Sequence, residues 1–313
     1  MLDPSSWTRP QHWLGRRVLV TGAGGFMGSA LTQMLAEAGA EVHGSWRSRP
    51  PAHDTIAAHP ALLPDDADRL IDHIEPHIIF HLASPVSLGA DPATYTTLRP
   101  GVLDATVAVA GAAQRHSARL IHVCTCEALA GGPLPFEPHM VAPTSPYSAL
   151  KAAAAAWVQM LAHSHGLQAT IVRPFRTWGP GERRGLVHEA IHAALQGNTL
   201  ELTDGGQVRE WNHIDAICTG LVALGAHPDA PGRTVSLGGG PRLSVVDFAR
   251  KVFTAAGADP SQIQVGVRPR RAGEVAEFWG DHSAADALIG QLPRPDLLTA
   301  LSDLVQWADG ERS

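Results

Sequence analysis

The segment Thr21-Gly22-Ala23-Gly24-Gly25-Phe26-Met27-Gly28 constrains the fold more than any other stretch of the chain. It follows the short apolar run Arg17-Val18-Leu19-Val20 and leads into residues 29–38, which have helical composition. The three pieces read as strand, tight turn and helix. Glycines at 22, 25 and 28 permit the turn, a close approach of backbone to a pyrophosphate, and close helix packing, while Phe26 and Met27 fall at a helix N-terminus that faces the anion. A Gly-rich loop alone is a weak signal, with a purely structural turn as its alternative, so the surrounding pattern has to decide.

That pattern is a repeated alternation. Strands are expected at 17–20, 41–46, 77–82, 120–124, 169–172 and 234–237, and helices at 66–74, 102–116, 146–165, 186–196, 214–224, 244–256 and 295–308. Strands separated by helices predict an α/β fold, a doubly wound Rossmann-type parallel sheet that binds ligands at the carboxyl ends of its strands. Beyond Gly179-Pro180-Gly181 the alternation loosens, with a strand pair expected around 200–208. We therefore expect a dinucleotide-binding domain over 16–176, with returning segments near 209–237, and a smaller C-terminal substrate-binding lobe over most of 177–313.

Composition narrows the class. A chain of 313 residues that is 44% hydrophobic and 17% charged buries a substantial core, which excludes a disordered tail or a stapled mini-scaffold. The net charge of −6 gives no reason to expect nucleic acid as a partner, although a local basic pocket remains compatible with it. Three cysteines, Cys124, Cys126 and Cys218, make no disulfide framework. No signal-like segment or run of 18 apolar residues is present, so the expected location is cytoplasmic, away from membranes.

The second strand bears on the choice of nicotinamide. It ends His43-Gly44-Ser45-Trp46-Arg47-Ser48-Arg49, with no carboxylate to hold a ribose diol. Arg47 is a candidate partner for a 2′-phosphate, favouring NADP over NAD, which is not excluded; the alternative is that both arginines are solvated loop residues.

Lys151 and Lys251 are the sole lysines, and Tyr95 and Tyr147 the sole tyrosines. Ser145-Pro146-Tyr147-Ser148-Ala149-Leu150-Lys151 places one of each a helical turn apart on one face. An ammonium beside a phenol lowers its pKa and makes Tyr147 a usable proton acceptor or donor. With this pair and the glycine loop in hand, the chain resembles the extended short-chain dehydrogenase/reductase family, in particular its nucleotide-sugar epimerases and dehydratases. The resemblance extends to Phe80-His81-Leu82-Ala83, to Arg173-Pro174-Phe175-Arg176 with Gly179-Pro180, and to Val208-Arg209-Glu210-Trp211-Asn212-His213. Pro269-Arg270-Arg271-Ala272-Gly273-Glu274 is similar to the tail of UDP-galactose 4-epimerases.

The resemblance implies cofactor contacts from Leu82, Ala83, Ser84, Tyr147, Lys151 and Pro174, a nucleotide-sugar substrate gripped by Arg209 and Arg271, and a homodimer. Two arginines on one diphosphate make chemical sense, because guanidinium is a fixed bidentate donor. Arg176 stands where the family usually has Asn, which points either to a further anion on the substrate or to a phosphate or solvent contact. The family's aromatic residue before Gly131 is replaced by Ala130, and its Asn near the start of the 102–116 helix by Val102.

The third catalytic position departs most. Counting back from Gly131 puts Cys126 in the family's hydroxyl position, whereas aligning Thr125-Cys126-Glu127 with the Thr-x-Glu triplet of sugar dehydratases puts Thr125 there. The second frame is preferred, and it resembles the Thr-Cys-Glu of UDP-N-acetylglucosamine 5,6-dehydratases. It implies an NAD(P)-dependent dehydratase passing through a transient 4-keto sugar, with Tyr147 as base for O4, Thr125 bonded to O4, Glu127 as base and Cys126 as acid for the elimination. Cys126 as a small buried hydrophobe and Glu127 as a loop carboxylate are the plainer reading. A 4-epimerase or 4-ketoreductase is the nearest alternative, and a non-catalytic NADP-binding regulator one of another class. His188-Glu189-Ala190-Ile191-His192 matches a zinc-helix pattern but lacks a third ligand, so no metal is expected.

Overall fold

The computed structural model describes residues 4–51, 55–87, 89, 91–270 and 274–311. A short turn and α1 (Pro10–Trp13) lead into β1 (Arg17–Thr21), α2 (Phe26–Glu37), β2 (Glu41–Trp46), β3 (Ala57–Pro60), α3 (Ala67–Ile74) and β4 (Ile78–His81). Then come α4 (Tyr95–Arg99), a π-helical segment Pro100–Asp104 that runs into α5 (Ala105–Arg115), β5 (Arg119–Val123), α6 (Pro146–His165) and β6 (Ala169–Pro174). The second half holds β7 (Thr177–Trp178), α7 (Leu186–Gln196), β8 (Leu200–Glu201), β9 (Val208–Glu210), β10 (Asn212–His213), α8 (Ile214–Ala226) and β11 (Thr234–Leu237). It ends with β12 (Arg242–Ser244), α9 (Val245–Ala255), β13 (Ile263–Gln264), β14 (Glu277–Phe278), α10 (Ser283–Ile289) and α11 (Leu297–Gly310).

Seven strands form one parallel sheet in the order β11-β6-β5-β4-β1-β2-β3. The chain runs outward from β1 in both directions, so the order reverses between β1 and β4 and opens a crevice at their carboxyl ends. Successive side chains of β1 serve opposite faces. Val18 and Val20 join Leu31 and Leu35 of α2 and the almost wholly buried α8 on one side, while Leu19 joins Ile71 of α3, Val109 of α5 and Val158 of α6 on the other. This two-sided cover is the doubly wound Rossmann-type sheet expected from the alternation.

Phe80 on β4 anchors the first of these layers. It is fully buried with its ring centroid 6.3 Å from that of Trp13, over Gly225, where an added Cβ would come within 2.6 Å of the Phe80 ring. Phe80→Ala is expected to cost about 4 kcal/mol, from lost transfer energy and an unfilled cavity, read as a lower urea midpoint.

A third apolar cluster is built by α7, α9 and α11 around Trp178, Trp211 and Phe248, the last two stacked at 3.8 Å. The expected strand pair around 200–208 is not formed. Leu200–Glu201 instead pairs with Ile263–Gln264, and Val208–Glu210 sits between Arg242–Ser244 and Glu277–Phe278. The physical reason is that both short strands find partners far along the chain. No helix among the described residues is long and apolar enough to cross a membrane.

Candidate active site

The switch-point crevice is a cavity of about 250 Å³ lined by the glycine loop, by Ser45 to Arg49, by Leu82 to Pro85, and by Gly101 and Ala105. Gly22 takes φ +75°, and its Cβ would lie 2.9 Å from the Ala83 amide nitrogen, so only glycine lets the two loops approach. Gly25 caps α2 without a side-chain bond, which leaves the first-turn amides of Phe26, Met27 and Gly28 to an anion. Gly24 serves a different purpose: a Cβ there would fall 1.9 Å from the Arg49 carbonyl oxygen, so it makes room for the segment carrying the two arginines. Arg47 and Arg49 both line the cavity, and no Asp or Glu does so among the described residues.

Tyr147 and Lys151 are held by α6, whose start is fixed by Pro146 and by a capping box in which Ser145 Oγ accepts the Ser148 amide and Ser148 Oγ accepts the Ser145 amide. Both side chains are buried. Lys151 Nζ donates to the Val123 carbonyl at 2.8 Å, and burial lowers its pKa. The expected lowering of the Tyr147 phenol is not seen. Burial pushes it well above its usual value, Cys124 and Cys126 add to the rise, and a hydrogen bond with Ser84 opposes it. Desolvation dominates at the phenol, while the Lys151 ammonium is engaged with the Val123 carbonyl.

Thr125 caps the 3-10 turn Cys126–Leu129, its Oγ1 accepting the Glu127 amide at 3.2 Å. The turn follows the end of β5 and packs against α6, the helix that carries Tyr147 and Lys151. Cys126 is 7% exposed and packs with Phe136, Phe175 and Phe278, and burial, then Glu127 and Glu210, drives its thiol well up, which keeps it protonated. Pro174 ends β6 beside Phe175.

Two of the candidate substrate arginines have carboxylate partners within the protein. Arg176 donates to Glu182 Oε1 at 2.6 Å and to the Thr177 carbonyl, 5.7 Å from the Trp211 ring. Its charge is paired within the protein with the Glu182 carboxylate. Glu182 is buried, which raises its pKa against the pull of Arg176. Arg209 Nη2 donates to Glu274 Oε1 at 3.3 Å, and the β9–β14 pairing sets Arg209 opposite Phe278. Arg271 lies outside the described residues. Neither Glu182 nor Glu274 stood out in the sequence, since each partner comes from a loop.

His188 and His192 face each other at 4.2 Å, but Glu189 pairs with Arg268, and no group of three or more His, Cys, Asp or Glu is placed to hold a metal among the described residues. The three cysteines are free.

Residues 18–238 match the NAD dependent epimerase/dehydratase family, and the chain belongs to it. It is 27% identical to a UDP-glucose 4-epimerase of Mycolicibacterium smegmatis, over 93% of this chain and 98% of that one. It is 30% identical to a dTDP-glucose 4,6-dehydratase of Streptomyces antibioticus, over 95% and 93%. A solved dTDP-glucose 4,6-dehydratase of Streptomyces venezuelae with NAD and TYD bound superposes with a TM-score of 0.84 at 25% identity, over 95% and 98% of the two chains. The family is thus that of nucleotide-sugar epimerases and dehydratases, NAD-dependent enzymes.

Proposed function

We propose that the protein is an NAD(P)-dependent nucleotide-sugar dehydratase, with NADP the favoured cofactor, working through a transient 4-keto sugar. The observation that carries this reading is the turn Thr125-Cys126-Glu127 after β5, which packs against α6, the helix of Tyr147 and Lys151, and so brings a carboxylate-bearing segment to the redox pair. A base carried on this turn is what elimination needs and simple epimerisation does not.

The cleft suits a dinucleotide: orphan amides at the α2 N-terminus for the pyrophosphate, and Arg47 with Arg49 for a 2′-phosphate. A bound nicotinamide supplies a reversible hydride acceptor. Tyr147 takes the proton of the C4 hydroxyl as C4 gives up its hydride, and Thr125 bonds O4. The resulting ketone acidifies H5. Glu127 removes H5, the C5=C6 double bond forms, and the C6 hydroxyl leaves as water with the Cys126 proton. If hydride returned to C6, Glu127 would give its proton back to C5 and the product would be a 4-keto-6-deoxy sugar; if it returned to C4, Tyr147 would give its proton to O4 and the product would be an exocyclic alkene. Arg209, oriented by Glu274, and Arg271 hold the diphosphate, while Arg176 with Glu182 shapes the sugar end. The same reading carries a cytoplasmic homodimer joined through α5 and α6.

Mass spectrometry of purified protein incubated with UDP- and dTDP-hexoses tests the proposal. Loss of one water supports it; conversion to the C4 epimer at unchanged mass contradicts it. That second outcome is the 4-epimerase reading, which the near full-length similarity to a UDP-glucose 4-epimerase favours. The cofactor choice has its own test. Arg47→Ala is expected to weaken NADP+ binding about tenfold to a hundredfold, the worth of a charge-assisted bond, and to leave NAD+ binding nearly unchanged in calorimetric titration. Equal effects on both nucleotides would remove the 2′-phosphate assignment.

A further inference from the structure

One imidazole ties together three walls of the cofactor cleft. His81, at the end of β4, is buried with Nδ1 2.8 Å from Thr21 Oγ1 and Nε2 3.1 Å from Thr106 Oγ1. Donor counting gives each bond its direction. Thr21 Oγ1 accepts the amides of Leu82 at 3.2 Å and Ala83 at 3.1 Å, so its one proton goes to His81 Nδ1. With Nδ1 accepting, the neutral ring carries its proton on Nε2 and donates it to Thr106 Oγ1. Thr106 then donates to the Val102 carbonyl at 2.7 Å. Burial holds the imidazole down at about 3, with Lys151 adding to the effect, so the ring stays neutral and the relay keeps one direction.

The relay ends in cleft walls. Thr21 immediately precedes Gly22 of the glycine loop; Leu82 and Ala83 form the facing wall; Gly101 and Ala105, flanking Val102, form the third. There is little slack between them, since a Cβ on Gly101 would lie 2.7 Å from Pro85 Cδ. Val102 belongs to the π-helical segment Pro100–Asp104, a wide turn that Thr106 fastens by bonding back four residues.

We infer that His81 is a positioning residue for the dinucleotide: the Thr21–His81–Thr106 relay fixes the spacing of glycine loop, β4 exit and helical wall, and thereby sets cofactor affinity. The inference rests on the reading of this cleft as the dinucleotide site.

Calorimetric titration of the full chain with NADP+, NAD+, UDP and dTDP, for wild type, Thr106→Val and Thr106→Ser, tests it. Thr106→Val keeps the side-chain shape and leaves the His81 N–H without an acceptor. The dissociation constant of the tighter-binding dinucleotide is expected to rise about tenfold or more in Thr106→Val and to stay within about twofold of wild type in Thr106→Ser, which retains the hydroxyl. The nucleoside diphosphates bind both variants like wild type. Unchanged dinucleotide affinity in Thr106→Val overturns the relay, as does equal loss in both variants, which would assign the effect to methyl packing. So does weakening of dinucleotide and nucleoside diphosphate alike, which would mark general loosening. Wild-type protein that binds neither dinucleotide overturns the reading of the cleft itself, and the inference falls with it.

Discussion

Tyr147→Phe is expected to lower turnover about a thousandfold, the range for loss of a positioned acid–base group, while UDP and dTDP affinities hold. The substitution removes one oxygen and keeps the ring that packs with Leu98, Val102 and Leu150. The sign of the pH dependence follows from the environment. Burial favours the neutral phenol, so proton abstraction from the C4 hydroxyl is limited by the small phenolate fraction, and turnover should rise with pH through the neutral range. Steady-state rates from acidic to alkaline pH check this. Tyr147→Phe should flatten the profile, an effect that a merely structural loss would not produce.

Glu127→Gln has the second large expected effect: net dehydration falls about a thousandfold, because the amide has no basicity to take H5. Oxidation at C4 precedes that step and does not use the carboxylate. Mixing the variant with nucleotide sugar in a stopped-flow instrument should still give the absorbance of reduced nicotinamide, now accumulating because the ketone has no forward path. If Glu127→Gln dehydrates at the wild-type rate, the base assignment fails. Loss of both oxidation and dehydration would instead place Glu127 in support of Tyr147.

Much of the fold was legible because buried parallel strands and amphipathic helices leave local marks. Residues 41–46, 146–165, 186–196 and 234–237 form the expected elements with the expected bounds. β3 was not legible: Ala57-Ala58-His59-Pro60 is largely exposed at the sheet edge, where no apolar run is required and a terminal proline is tolerated. The wrong pairing of 200–208 came from two-residue and three-residue strands whose partners lie beyond residue 240. In the site, the Tyr147–Lys151 spacing and the glycines were readable because helix and turn geometry act over a few residues. The Arg176–Glu182 and Arg209–Glu274 pairs, the Thr21–His81–Thr106 relay, and the dominance of burial over Lys151 at Tyr147 depend on tertiary neighbours and dielectric surroundings, which spacing does not encode.

The central claim is that oxidation at C4 opens the way to loss of water. Incubation of the wild-type enzyme with nucleotide hexoses carrying deuterium at C4, followed by mass spectrometry and NMR of the sugar, addresses it most directly. The account predicts a product that has lost one water and retains the deuterium, moved to C6 in a 4-keto-6-deoxy sugar or restored to C4 beside an exocyclic alkene. A product of unchanged mass with deuterium at an inverted C4 would contradict it and make the protein an epimerase.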